Sequence, residues 1–209
     1  MALFQQAVLT TAYFPPVEYF FAIAQSGRVM LEQYENYQKQ SYRNRCIICT
    51  PSGPEALSVP VIKEGGLSRP VRDIRIDYSD PWLQRHTRAF DAAYNSSPFW
   101  LYYKDELLEI LLSKPEFLWD LNYMLLEKLL EMVGLKADIG LTDDFVKEYP
   151  EGDFRCRIQP KHHGENLMAE HKKEKTYYQV FSSQNGFIPN LSILDLLSAE
   201  GPDAVSYIL

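Results

Sequence analysis

The sequence has no long apolar run. No stretch approaches the ~20 residues that a membrane-spanning helix requires, so no span is expected. It also lacks basic character. Lys and Arg total 21 against 28 Asp and Glu, for a formal net charge of −7. That balance argues against a general nucleic-acid binder, which needs a basic face. A small anionic ligand stays admissible, because a local group of Arg and Lys can oppose the global sign. Cysteine is scarce: three residues, an odd number at spacings unlike a disulfide framework. A reducing cytoplasm is the expected setting. The opening "MALFQQAVLTTAYFPP" has neither a basic n-region nor a small-residue cleavage site, so no secretory leader is expected. Several catalytic signatures are missing: Gly-x-Gly-x-x-Gly, the P-loop, Gly-x-Ser-x-Gly and His-Glu-x-x-His. "TDDF" and "DYSDPW" are not Asp-x-Asp metal motifs. These absences argue against a nicotinamide enzyme, a P-loop kinase, an α/β-hydrolase and a zincin. They leave a transferase or a binding protein, with no metal site expected and no cofactor identified.

What is present suits one domain spanning residues 1–209, since hydrophobic content is near half and the length falls within ordinary domain size. Tyrosine is abundant, at 14 residues, and serves both cores and sugar or nucleobase sites. "AVLTTAY" reads as a strand, Pro15-Pro16 breaks it, "PVEYFFAIAQS" reads as a helix and "RVMLEQY" as a second strand. This is a β-α-β unit. "YRNRCIICT", "ALSVPVI" and "VRDIRIDY" are further strand candidates, and the turns Pro51-Ser52-Gly53-Pro54 and Glu64-Gly65-Gly66 favour antiparallel neighbours. The middle is helical: a helix capped by Asp80 with Pro81 at its first position, then "PFWLYYKDELLEILLS", then "PEFLWDLNYMLLEKLLEMVG" with a core stripe from Leu118 to Met132. Beyond Gly134, "ADIGLT" and "YYQVF" read as strands around a long polar loop, and "SILDLLSAEG" as a helix with Ser192 and Asp195 forming a capping box. The fold class expected is α+β: a mixed, mainly antiparallel sheet with an N-terminal β-α-β unit and packed helices.

Cys46 and Cys49 form a Cys-x-x-Cys. A redox pair needs its first thiol at a helix N-terminus. Here the motif precedes a turn, and residues three apart on a strand face opposite sides. Zinc would need two more ligands, and only Cys156, His162 and His163 offer themselves, at no finger-like spacing. Two buried structural thiols are the preferred reading. Arg43, Asn44 and Arg45, with Lys39 upstream, make an edge that could grip a phosphate or carboxylate. The competing reading is a solvated strand start paired with Glu32 or Glu35.

At this point the chain resembles a known family, the WbqC-like proteins. "AYFPPVEYF" looks like the family's opening Tyr-Phe-Pro segment. "ENYQKQSYRNR" looks like its Tyr-x-Lys…aromatic-x-Asn-Arg segment. "PWLQRHTRAFDAAYNSSPFW" resembles its Trp…His helix, and "PNLSILDLLSAEGPDA" its C-terminal ending. Thr10-Thr11 and Glu35-Asn36 depart from the Gln-Pro and acidic-Val-Gln of many members. The resemblance implies a role in surface-polysaccharide or O-antigen biosynthesis, with acyl or aminoacyl transfer on amino sugars as the implied chemistry. It transfers no established catalytic set.

Among the matching positions, His86 and Asp195 are the catalytic candidates. Tyr13, Tyr37, Lys39, Asn44, Arg45 and Tyr94 are the ligand-binding candidates. His86 lies between Trp82 and Phe90 on a helix, where it is either a buried, hydrogen-bonded histidine or a general base. Asp195 is either a base or a cap. Tyr13 sits where a strand hands over to a helix, a favoured ligand position. The expectation is that Arg45 and Asn44 share a hollow with Tyr13 and hold an anionic or sugar-linked small molecule. The competing expectation is a non-catalytic binding or assembly module. Oligomeric state is not legible.

Overall fold

The computed structural model describes residues 2–63, 69–162 and 164–209. The expected Glu64-Gly65-Gly66 turn and the zinc candidate His163 lie outside the described residues.

The β-α-β unit is built from β1 (Ala7–Thr10), α1 (Val17–Ala24) and β2 (Val29–Glu32). β1 and β2 pair in parallel, with Ala7 opposite Val29 and Thr10 opposite Glu32. β1 is buried along its whole length, as a parallel strand covered on both faces must be. A 3₁₀ turn, Tyr42–Asn44, leads into β3 (Arg45–Thr50), which pairs antiparallel with β4 (Gly53–Ser58). Three helices follow: α2 (Trp82–Tyr94), α3 (Trp100–Leu112) and α4 (Leu118–Val133). β5 (Ile139–Leu141) then returns to pair in parallel with β2. Short helices α5 (Leu167–Glu170) and α6 (Ser182–Asn185) precede α7 (Ile193–Glu200) and α8 (Ala204–Ile208).

The α+β content, the β-α-β unit and the antiparallel hairpin all match the sequence reading. The strands are divided differently, however. The larger sheet, in order β1-β2-β5, is wholly parallel, and among the described residues antiparallel pairing is confined to β3–β4 and isolated bridges. The causes are local. Pro60 has no amide to donate, so "ALSVPVI" ladders only to Ser58 and then makes a single bridge, Val61 to Ile76. "VRDIRIDY" begins as a 3₁₀ turn, Val71–Asp73, behind Pro70. "YYQVF" forms no strand. Instead the Gln179 side-chain amide gives to the Ile188 carbonyl (2.9 Å) and takes from its N–H (2.8 Å), as a strand neighbour would.

The helix termini differ in the same way. α2 begins at Trp82 with Pro81 at the cap and no side-chain cap bond; Asp80 instead pairs with Arg85 at 2.6 Å. α4 ends as expected: Gly134 takes φ +74, and Leu135 N–H reaches back to the Leu130 carbonyl at 3.0 Å. Its stripe Leu118, Leu121, Leu125 and Leu129 is fully buried. At α7 the Ser192 hydroxyl accepts from Leu194 N–H, but the reciprocal half of the box is absent. Ser192 N–H donates to the Ile47 carbonyl, and Asp195 turns elsewhere. A single hydrophobic cluster runs from Ala7 to Ile208, with α2 and α7 packed on β3.

One further segment extends the parallel sheet without being a strand. Val8 N–H donates to the Gly152 carbonyl and Phe154 N–H to the Val8 carbonyl, at 2.8 and 3.0 Å. Gly152 has φ +70, and a Cβ there would lie 1.9 Å from the Gln6 carbonyl oxygen, so only glycine fits. Because Val8 pairs with Asp153, Arg155 falls level with Thr10 and Glu32 at the carboxyl edge of the sheet.

Candidate functional site

A cleft of about 530 Å³ opens at that carboxyl edge. Open parallel sheets collect ligands there. Three stretches wall it: Glu35, Asn36 and Gln38 after β2; Phe145, Lys147, Glu148 and Tyr149 after β5; and Asp153, Arg155 and Cys156 beside β1.

Buried charge fixes these walls. Arg155 is buried, and its Nε and Nη2 fork onto Asp153 at 2.8 and 2.5 Å. Its remaining donors reach the Val146 carbonyl (2.8 Å), the Lys147 carbonyl (3.2 Å) and Glu32 (3.4 Å). All five guanidinium N–H donors therefore have acceptors. Arg155 positions the 146–147 loop and does not offer a free cation to a ligand. Burial opposes ionisation of Asp153, but the Arg155 hydrogen bonds and charge prevail and hold its carboxyl below the usual range. The Arg155 guanidinium lies 5.0 Å from the Tyr149 ring centre and 5.7 Å from that of half-exposed Phe145. Glu35 is forked by Arg43, Oε1 to Nε at 2.9 Å and Oε2 to Nη2 at 2.6 Å. Burial raises the Glu35 carboxyl pKa even so, with Arg43 opposing. Of the two readings of the Arg43–Arg45 edge, the pairing with Glu35 is therefore present for Arg43, deep inside the protein rather than in solvent.

None of the eight candidate residues from the sequence lines this cleft. Tyr13 and His86 do meet: the Tyr13 hydroxyl is 2.9 Å from His86 Nδ1, both buried. His86 also hydrogen-bonds the Ser58 backbone, and burial holds its pKa down to about 4. Its imidazole is thus neutral, with both nitrogens engaged, packed among Trp82, Phe90 and Tyr13. Arg45 Nε donates to the Ser58 hydroxyl at 3.1 Å, and Asn44 Nδ2 to the Val59 carbonyl at 2.8 Å. Arg45 and His86 thus both reach Ser58, one at its hydroxyl and the other at its backbone, while Asn44 is held by β4's continuation. None of five clefts of about 140 to 530 Å³ among the described residues has them in a common wall.

Asp195 accepts from the Tyr177 hydroxyl (2.9 Å) and Gln179 Nε2 (2.8 Å), and burial pushes its pKa up to about 6. Tyr94 is buried, with a hydroxyl that lacks a hydrogen-bond partner. Tyr37 is buried, its phenol pushed up to about 12 by burial, and Lys39 is exposed. These last two alternate with Asn36 and Gln38, which do reach the cleft. Cys46 and Cys49 are buried free thiols on β3, their pKa values raised by burial, the reverse of what a redox pair requires. Among the described residues, no group of three or more His, Cys, Asp or Glu side chains is placed to hold a metal ion. No described helix is long and apolar enough to cross a membrane.

The sequence reading did not single out Phe145, Tyr149, Asp153 or Arg155. Their signal was Phe145, Tyr149 and Asp153 at each fourth position of "FVKEYPEGDFR", with Arg155 two residues further on and Gly152 marking a left-handed turn.

The chain is similar to an uncharacterised Mycobacterium tuberculosis protein, Rv1507c: 26% identical over 228 aligned residues, covering 96% of this chain and 97% of that one. No solved structure matches it. The WbqC-like protein family matches residues 11–170, a span that starts just after β1 and holds the Glu35–Arg43 pair, the Tyr13–His86 pair and every residue of the cleft wall, but stops short of Asp195. The chain belongs to the WbqC-like protein family.

Proposed function

We propose that the cleft binds a sugar-linked precursor and that the chain serves a cytoplasmic step of surface-polysaccharide or O-antigen assembly, as a transferase of acyl or aminoacyl groups. The observation that carries this reading is the composition of the cleft wall. Phe145 and Tyr149 supply ring faces for the apolar side of a pyranose, held still by Arg155. Asn36, Gln38, Glu148 and Asp153 supply the amide and carboxylate groups that hydroxyls seek. Family membership supports the pathway.

A thermal-shift titration with nucleotide sugars and acyl-CoA tests it. A ligand at 100 times its Kd adds about 2.7 kcal/mol of stability. Phe145→Ala removes a half-exposed ring without opening the core, so the variant should fold and lose the shift. An unchanged shift in that variant, or no sugar-specific shift in the parent, refutes the reading.

A second reading, a non-catalytic binding or assembly module, is favoured by one observation: His86 and Asp195 are buried and held by hydrogen bonds within the protein. Release of free thiol from acyl-CoA in the presence of a bound sugar acceptor selects the enzyme; binding without release selects the module.

A further inference from the structure

A second pocket, of about 230 Å³, shares no lining residue with the cleft. The two are separated by one loop, whose Asp153 and Cys156 face the cleft while Gln159 and His162 face the pocket. At roughly 30 Å³ per water, the pocket has room on the order of eight waters. Its walls divide by chemistry. Ile47, Ile188 and Leu191 give an apolar side, and Glu18, Asn190 and His162 a polar one.

Glu18 is the unusual member. It is only 2% exposed and begins the first turn of α1. Oε2 accepts from Leu167 N–H at 3.1 Å and Oε1 from Asn190 Nδ2 at 2.7 Å. A carboxylate can accept about four hydrogen bonds, so half its capacity is unfilled. Both partners are neutral amides. Arg157 and His162 act on Glu18 only through space; Arg157 Nη2 is held by Glu170 and the Glu165 carbonyl, and its Nη1 has no hydrogen-bond partner. Among the described residues no ion pair reaches Glu18, and a buried carboxylate without a direct one is costly. The Glu18 pKa is accordingly raised, with burial the largest cause. The carboxylate is nonetheless held in place. Asn190, in the left-handed region at φ +55, accepts from Glu18 N–H through Oδ1 at 2.9 Å while its Nδ2 grips Oε1. A carboxylate held in place with acceptor capacity to spare beside a cavity is the arrangement of a prepared site.

We propose that this pocket is a second ligand site, taking a small molecule with a primary ammonium group on a short aliphatic body. The ammonium meets Glu18, and the hydrocarbon lies against Ile47, Ile188 and Leu191.

Isobutylamine is the probe, titrated into the full chain by calorimetry and amide NMR, with isobutanol and isovalerate as the uncharged and anionic controls. Saturable binding of the amine, at least about tenfold tighter than either control, is expected. It should be lost in Ile188→Trp, which fills the pocket and leaves the Glu18 bonds intact, and weakened about tenfold or more in Glu18→Gln. If Glu18→Gln does not fold, Ile188→Trp decides alone. Equal binding of isobutanol, unchanged binding in Ile188→Trp, or no saturable amine binding to the folded parent overturns the proposal.

Discussion

Asp195 offers the sharpest quantitative test of the buried polar chemistry. Its carboxyl sits at about 6 in the folded chain, against an ordinary 3.8, because burial outweighs the Tyr177 and Gln179 hydrogen bonds. The folded state therefore holds its proton more tightly than the unfolded state. Between the two values the native chain binds more protons, so stability falls as pH rises through that window and levels off above about 6. The full span is about 3 kcal/mol at 1.36 kcal/mol per pH unit, and about 2 kcal/mol of it lies between about pH 4.5 and about pH 7. Asp195→Asn keeps an oxygen for Tyr177 and Gln179, since both bond the same Oδ2. It removes the titration. Urea unfolding of both proteins at the two pH values isolates the residue, because every other carboxylate cancels in the difference. The variant should gain about 2 kcal/mol relative to the parent on going from the acid to the neutral condition. A difference that does not move with pH, or moves the other way, refutes burial as the dominant influence on Asp195.

Two further outcomes follow from the cleft's scaffold. Gly152→Ala cannot keep φ +70 with its Cβ against the Gln6 carbonyl, so Gly152–Phe154 should detach from β1, with faster amide exchange at Val8 and Phe154 and loss of ligand shift in the cleft. Arg43→Met should destabilise by roughly 3–5 kcal/mol in urea unfolding by leaving Glu35 buried and unpaired, while Arg43→Met with Glu35→Leu should recover much of that loss.

The parts of the fold legible from sequence were those where one local signal decided the outcome. Pro15-Pro16 separated β1 from α1, Gly134 ended α4, and the leucine stripe of α4 named its own buried face. Where two signals competed, tertiary partners chose. Ser192 and Asp195 satisfied the pattern of a capping box, yet Ser192 N–H found the Ile47 carbonyl, and Asp195 was drawn to Gln179 and Tyr177 from a segment that is not a strand. Gln179 explains why that segment escaped the pattern: a side chain there does what a strand backbone would. Arg43 and Asn44 fall in the 3₁₀ turn and only Arg45 on β3, and the direction of the guanidinia was not readable. Arg43 turns inward to Glu35, eight residues back, and Arg45 lies along the hairpin onto Ser58. The cleft was harder still, because its three walls are distant in sequence and only parallel pairing of β5 and of Gly152–Phe154 brings them together.

That assembly accounts for the concentration of buried charge at one end of the sheet. Glu32, Glu35, Arg43 and Arg155 are each at most 5% exposed, yet all lie at or just behind the cleft. Buried ion pairs seldom stabilise more than a well-packed apolar substitute would, so stability alone is a poor reason for the two that these residues form. What they do is directional. Arg155 joins the carbonyls of the 146–147 loop to Asp153 and to Glu32 on β2, and so ties a wall from each side of the sheet to its centre. Glu35 and Arg43 fix the third wall against the 3₁₀ turn, whose Arg43 carbonyl is in turn held by Asn122 of α4 at 2.7 Å. An apolar core would pack these loops without setting their angles. The forked hydrogen bonds set them, and the ring faces of Phe145 and Tyr149 are presented to the cleft from a frame that does not need a ligand to form.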